Sequence, residues 1–208
     1  MSEIEDGRTR RALEAREQRR AQILESALEV FSERGYHQAS VSDLVAAAGV
    51  ARGTFYLYFD SKQAIFHDLL DDLLQHLREN VVGVDVTPGA PPVREQLMGT
   101  VLKLLDTVDA NRALVRILLR EAVGLDASID EKLAEFYGSL HALLVLSLEQ
   151  GGALGVVRAD LDAEVIAACI LGSVKEVLQR WLVQSDAPID AERLAAAVLD
   201  HALHGVTP

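Results

Sequence analysis

The chain has 208 residues, half of them apolar, which suffices for one buried core or for a small domain followed by a larger one. Its formal charge is -12, it carries one cysteine, it has no run of about 18 apolar residues, and it opens on acidic rather than apolar residues. These features exclude an internal disulfide framework and a membrane span, argue against a secretory leader, and lead to the expectation of a reducing, cytoplasmic setting.

The charge is unevenly placed. Residues 1–62 hold nine Lys+Arg against ten Asp+Glu, a net of -1, while residues 63–208 hold eleven against twenty-two, a net of -11. Within residues 8–20, six Arg stand against two Glu. That basic run admits two readings, a solvated helix start and an arm that meets nucleic-acid phosphates.

The first periodic segment, residues 16–34, sets Ile23, Ala27, Val30 and Phe31 on one stripe with charges opposite, which predicts an amphipathic helix. Ser40, with Asp43 three residues on, resembles a capping box and predicts a helix from about Val41. Gly49 supplies the left-handed backbone of a tight turn between two crossed helices. Beyond it Phe55 suits a core, leaving Arg52, Thr54, Tyr56 and Tyr58 to face outward. A guanidinium, a hydroxyl and two phenols on one short helix fit a major groove, where Arg reads guanine edges, Thr meets a thymine methyl or phosphate, and Tyr hydroxyls hold phosphate oxygens. Lys62 adds a charge at the next helix start, beside free backbone N–H groups that favour an anion.

A longer helix is expected from Ser61 to about Val81, with Ile65, Leu69, Leu73 and Leu77 at four-residue spacing. Gly83 to Pro92 reads as a linker. Helical periodicity resumes over 93–108, 111–123 and 129–149, is broken at Gly151, Gly152 and Gly155, and returns over 162–183 and 190–204, with Ser185–Pro188 between the last two. No strand alternation or repeat is present, so the fold class is all-α. The domains fall as an N-terminal arm and helix-turn-helix over 1–60 and a helical regulatory domain over 61–208. Cys169 lies in an apolar run and is expected as a buried structural thiol.

From residues 16 to 70 the chain resembles the TetR family of transcriptional regulators. The resemblance is carried by Gly49-Val50, Arg52-Gly53-Thr54-Phe55-Tyr56, Tyr58-Phe59 and Ser61-Lys62, preceded by the helix from Arg19 to Arg34 that ends at Gly35-Tyr36. It implies an N-terminal three-helix unit that binds double-stranded DNA, with Ser40, Arg52, Gly53, Thr54, Tyr56, Tyr58 and Lys62 at the interface. It also implies a C-terminal helical domain that dimerises and holds a small molecule. Two departures stand out: Ala51 occupies a position where a capping Ser is common, and Val45 one where a small Ala is common. An uncapped helix start loses about 0.5–2 kcal/mol.

Dimerisation follows independently, since one short helix reads few bases and a two-fold pair reads half-sites about 34 Å apart. Val174, Leu178, Trp181, Leu194 and Val198, with small residues Ala167, Ala168, Gly172 and Ala195 to Ala197, suit either a core within one subunit or a four-helix interface between two. For the ligand, Arg116, Arg120, Phe136, Tyr137 and His141 punctuate the apolar central helices, in keeping with a cavity for a mostly apolar effector with an anionic head. Arg112, Arg116 and Arg120 share one helical face, where surface carboxylates offer the alternative partners. No cofactor is expected. The six His are scattered, His201 and His204 lack a third metal ligand, and no nucleophile elbow, phosphate loop or paired-cysteine motif occurs, so no enzyme is expected. The expected function is a dimeric repressor on a palindromic operator, released by a small molecule. The alternative is a helical ligand- or partner-binding dimer whose first module does not bind DNA specifically.

Overall fold

The computed structural model describes residues 2–121, 127–183 and 190–204. Among these every regular element is helical: α1 (Ser2–Arg34), α2 (Val41–Ala48), α3 (Arg52–Tyr56), α4 (Lys62–Asn80), α5 (Val93–Ala110), α6 (Arg112–Glu121), α7 (Ala127–Ala153), α8 (Ala163–Leu178) with a π-helical turn over Gln179–Val183, and α9 (Ala191–His204). The chain divides into two compact units that part between Asp72 and Leu73, inside α4. The expected break at Ser185–Pro188 lies outside the described residues. No described helix is long and apolar enough to cross a membrane.

In the first unit the predicted stripe of α1 is the core stripe: Ile23, Ala27 and Phe31 are fully buried, alongside Leu44 of α2, Phe55 of α3 and Phe66 and Leu70 of α4. Fully burying a side chain of the Phe or Leu class contributes about 1.5–3 kcal/mol. Phe31, Tyr36 and Phe66 form an aromatic triangle with centroids 5.3, 6.0 and 4.9 Å apart. An ion pair between Arg20 and Asp68 ties α1 to α4. α1 starts far earlier than the apolar stripe does, because Arg, Ala and Glu favour helix without needing a core and pairs such as Arg10–Glu14 sit one turn apart at 3.6 Å.

In the second unit α5 packs on α9 around Leu105, Leu194 and Ala195, with Leu178 and Val198 against them. α7 packs against α8. Contrary to the expected break, α7 runs through Gly151 and Gly152 and ends at Ala153. The lack of a side chain at Gly151 is used, since a Cβ there would stand 2.7 Å from Cγ2 of Val157. The N–H groups of Val156 and Val157 both return to the Gly151 carbonyl, at 3.0 and 3.1 Å. Asp162 and Asp190 cap α8 and α9 through the N–H groups of Val165 (3.2 Å) and Arg193 (3.1 Å). Two carbonyls of the π turn meet α6: Arg116 donates to the Leu182 carbonyl and Arg112 to that of Trp181 at 3.4 Å.

Candidate nucleic-acid interface

The turn between α2 and α3 forms as the residues dictate. Ser40 sits at the N-cap of α2 and its hydroxyl oxygen accepts from the Asp43 N–H at 3.2 Å. The Asp43 carboxylate accepts in return from the Ser40 N–H at 2.9 Å and its hydroxyl at 2.6 Å. Those bonds from Ser40, with Arg34 at 2.7 Å, hold the Asp43 carboxyl below its usual pKa. Gly49 ends α2 at φ 62°, and the Ala48 carbonyl beside it accepts from the Gln22 side chain at 3.0 Å. Ala51 then opens α3 with no side-chain cap.

On α3, Phe55 turns inward to the core while Arg52, Gly53 and Tyr56 are exposed and Thr54 is half-buried. The Arg52 guanidinium lies 5.8 Å from the Tyr56 ring centroid, so the two side chains stack on the outer surface. Gly53 is notable for what it does not meet: a Cβ built there finds no atom within 4 Å, and its φ is not positive. Nothing among the described residues requires glycine at this position, where it costs about 0.5–1 kcal/mol relative to Ala in a helix.

Tyr58 is half-buried and shares a surface groove of about 540 Å³ with Leu57 and with Ala12, Ala15, Arg16 and Arg19 of α1. This groove is absent from the sequence-level site. Its signal is present in the motif, since Phe55 and Phe59 share the core face one turn apart and Leu57 therefore points away from it, 75% exposed.

Lys62 makes its contacts within its own chain. Its ammonium donates to the carbonyls of Tyr36 at 2.8 Å, His37 at 3.2 Å and Ala39 at 2.9 Å. An ammonium has three N–H donors, so as placed none remains for a phosphate.

The expected ligand residues divide into two groups. Phe136 and Tyr137 meet edge to face at 5.8 Å on α7, with Arg78 5.5 Å from the Phe136 centroid and Lys175 5.6 Å from that of Tyr137. Burial raises the Tyr137 phenol above its ordinary pKa although the residue is 39% exposed. His141 faces α8, with Nε2 at 3.1 Å from the Glu164 carbonyl and Nδ1 at 3.6 Å from its carboxylate. Arg116 donates to the π-turn carbonyl of Leu182, and Arg120 is exposed.

Of the expected dimer set, Leu194 is buried within its own chain, and Leu178 and Val198 are partly buried against the same cluster, to which α5 contributes Leu105. Val174 is half-buried, and Trp181 keeps 38% exposure with Arg193 4.8 Å from its ring. Cys169 is exposed rather than buried, since the inward positions of α8 are taken by neighbours such as Ala167. The side chain of His204 lies outside the described residues.

Comparison with known proteins decides the class. A model of bacterial regulatory proteins of the tetR family matches residues 23–69, and a model of the tetracyclin repressor-like C-terminal domain matches residues 90–206, more than half the chain. The chain belongs to the TetR family. As such it is a transcriptional regulator and not an enzyme. The HTH-type transcriptional repressor KstR2 of Rhodococcus jostii (strain RHA1) is 32% identical over 171 residues, 78% of this chain and 79% of that protein. The fatty acid metabolism regulator protein of Bacillus subtilis (strain 168) is 28% identical over 193 residues, 89% of this chain and 94% of that protein. The crystal structure of the transcriptional regulator FadR from Bacillus subtilis in complex with stearoyl-CoA matches with a TM-score of 0.69 at 26% identity, covering 89% of this chain and 98% of that one. The TetR-family fold predicted from the helix-turn-helix motif is thus the observed one.

Proposed function

We propose that this TetR-family chain is a homodimeric repressor in the cytoplasm that reads a palindromic operator through residues 1–60 and is released by an effector bound within 61–208. The observation that carries the DNA reading is the outer face of α3. There Arg52, Gly53 and Tyr56 stand exposed, and Gly53 has no internal reason to be glycine. A glycine there lets another molecule's backbone approach closely. Arg52 and Tyr56 then reach base edges and phosphates, Thr54 and Tyr58 flank them, Ser40 stands exposed at the start of α2 with its hydroxyl proton on Asp43, and Arg16 and Arg19 bring charge to the groove beside Tyr58.

For the effector, two relatives support the expected chemistry. One is named for fatty acid metabolism and a related structure holds stearoyl-CoA, which joins a long apolar chain to an anionic head. An acyl-CoA-like molecule is the class proposed for this chain. Phe136, Tyr137 and His141 are proposed near its apolar part and Arg116 and Arg120 near its head. Release is a population shift, bounded by the effector's differential affinity for the two subunit arrangements.

We propose that the partner subunit meets the exposed face of α8. Val165, Ala168, Cys169 and Gly172 lie there at helical spacings of three and four, all exposed.

The test is fluorescence anisotropy of the purified chain on duplex from immediately upstream of its own gene, against a scrambled duplex at the same salt. Preferential binding that an acyl-CoA relieves is the expected outcome. Equal, weak binding to both duplexes would instead favour the partner-binding reading, which the net charge of -11 over residues 63–208 motivates.

A further inference from the structure

We propose that Leu57 is a base-reading residue, an apolar side chain on the outer ridge of α3 that selects a thymine by its C5 methyl group. The inference rests on the DNA-binding reading and adds a specificity determinant to it.

Its position follows from the register of α3. Phe55 and Phe59 lie four residues apart and both are buried, which fixes the inward side of this segment. Leu57 is the C-cap, at φ -75° and ψ -16°, so right-handed helical geometry carries through it. At about 100° per residue it stands opposite the buried pair, one turn beyond Gly53. Arg52 and Tyr56 lie to one side of this Gly53–Leu57 ridge, and Thr54 and Tyr58 to the other. At 75% exposure Leu57 is the most exposed large apolar side chain among the described residues, ahead of Val82 at 60%.

A single exposed leucine is commonplace on a protein surface and by itself indicates nothing. This one is set among cations. Arg16 and Arg19 of α1 line the groove that it shares with Tyr58, and Arg52 opens its own helix. An apolar protein partner seated on Leu57 would strip water from those guanidinium groups without pairing them. Duplex DNA meets both demands, with phosphates for the arginines and one hydrocarbon group on the floor of the major groove. That group is the thymine methyl; the other groups by which bases are told apart there are hydrogen-bond donors and acceptors. Leucine has no polar atom to satisfy them, so against another base edge it displaces water and returns no hydrogen bond. Gly53 has no side chain to hold the ridge away from the base edges.

The test removes one methyl group at a time. A duplex that the parent chain prefers is selected from a random pool, and each thymine in turn is replaced by deoxyuridine, which lacks only the C5 methyl. Anisotropy at fixed salt should show the parent losing about fourfold in affinity at one position of each half-site, the effect of withdrawing one buried methyl-sized group. Leu57→Ala should bind the unmodified duplex more weakly by at least that factor. It should be indifferent to deoxyuridine at that position and keep the parent's response at every other. Leu57→Met, apolar and of similar volume, should keep the methyl dependence. Because Leu57 is exposed and Ala is the better helix former, Leu57→Ala should unfold at no lower temperature than the parent, so its loss reads recognition and not stability.

A Leu57→Ala chain that weakens on all duplexes alike and keeps the parent's deoxyuridine profile sets Leu57 against sugar or phosphate, and overturns the proposal. Full parental affinity at every deoxyuridine position overturns it without any variant. Either result removes Leu57 from the readout alone. A parent chain that selects no duplex from the pool removes the DNA-binding reading itself, and this inference with it.

Discussion

Gly53 is the residue at which the needs of the free chain and of the bound chain pull apart. Its Cβ position is open and its backbone is ordinary helix, so Gly53→Ala should stabilise the free protein by about 0.5–1 kcal/mol. If DNA backbone approaches there, the same methyl group should weaken operator binding by about tenfold, equivalent to about 1.4 kcal/mol. Thermal unfolding and anisotropy on one variant read the two effects separately. A more stable protein with unchanged affinity would remove Gly53 from the interface. The type of chemistry at this site was legible from residue identities, because Arg52, Tyr56 and Phe55 each went to the side their polarity demands. Direction was not legible for Lys62. A charged group at a helix start has two attractive targets, an outside anion and the carbonyls of the preceding turn, and only tertiary placement selects one. Cys169 illustrates the same limit, since an apolar run around a thiol does not say which side of the helix is covered.

At the scale of elements, helix boundaries followed capping chemistry where a cap exists. Ser40, Asp162 and Asp190 each begin a helix one residue later, as their side chains accept from the N–H three residues on. Glycine was less reliable as a stop: Gly49 and Gly35 end helices at positive φ, whereas Gly151 stays helical because Val157 needs its missing side chain. The π turn after Leu178 has no local signature. It is sustained by Arg112 and Arg116 from another helix. The weakest start is that of α3, where Ala51 offers no side-chain cap to a five-residue helix. Ala51→Ser should stabilise the chain by about 0.5–2 kcal/mol. Because a cap reduces fraying of α3 before binding, operator affinity should rise or hold while exchange at Phe55 and Tyr56 slows. Unchanged stability would mean that the packing of Phe55 alone holds the helix.

At the scale of the whole molecule, the large apolar residues of the last helices have partners within the chain before any assembly is considered. Leu178, Leu194 and Val198 look like interface residues because they are large and apolar, yet α5 supplies their partner within the chain. One stripe that α8 leaves outside is mostly small, Ala168, Cys169 and Gly172 with Val165 54% exposed, flanked by exposed Glu164, Lys175 and Glu176. Small side chains let two helices approach closely, so a face that looks featureless in composition suits a two-fold contact. Two substitutions tell these faces apart. Gly172 has open space around its Cβ position, so Gly172→Glu should leave the protomer folded and, as glutamate is the better helix former, no less stable. Across a two-fold interface it would bring like charges into an apolar contact. Sedimentation should then report monomer, and affinity for the palindrome should fall to that of a half-site. Leu194→Ala should instead cost about 2–5 kcal/mol of protomer stability, the range for emptying a buried leucine site, without favouring monomer in the fraction that remains folded. If Leu194→Ala separates the subunits while Gly172→Glu leaves them joined, the partner sits on α9 rather than on the exposed face of α8.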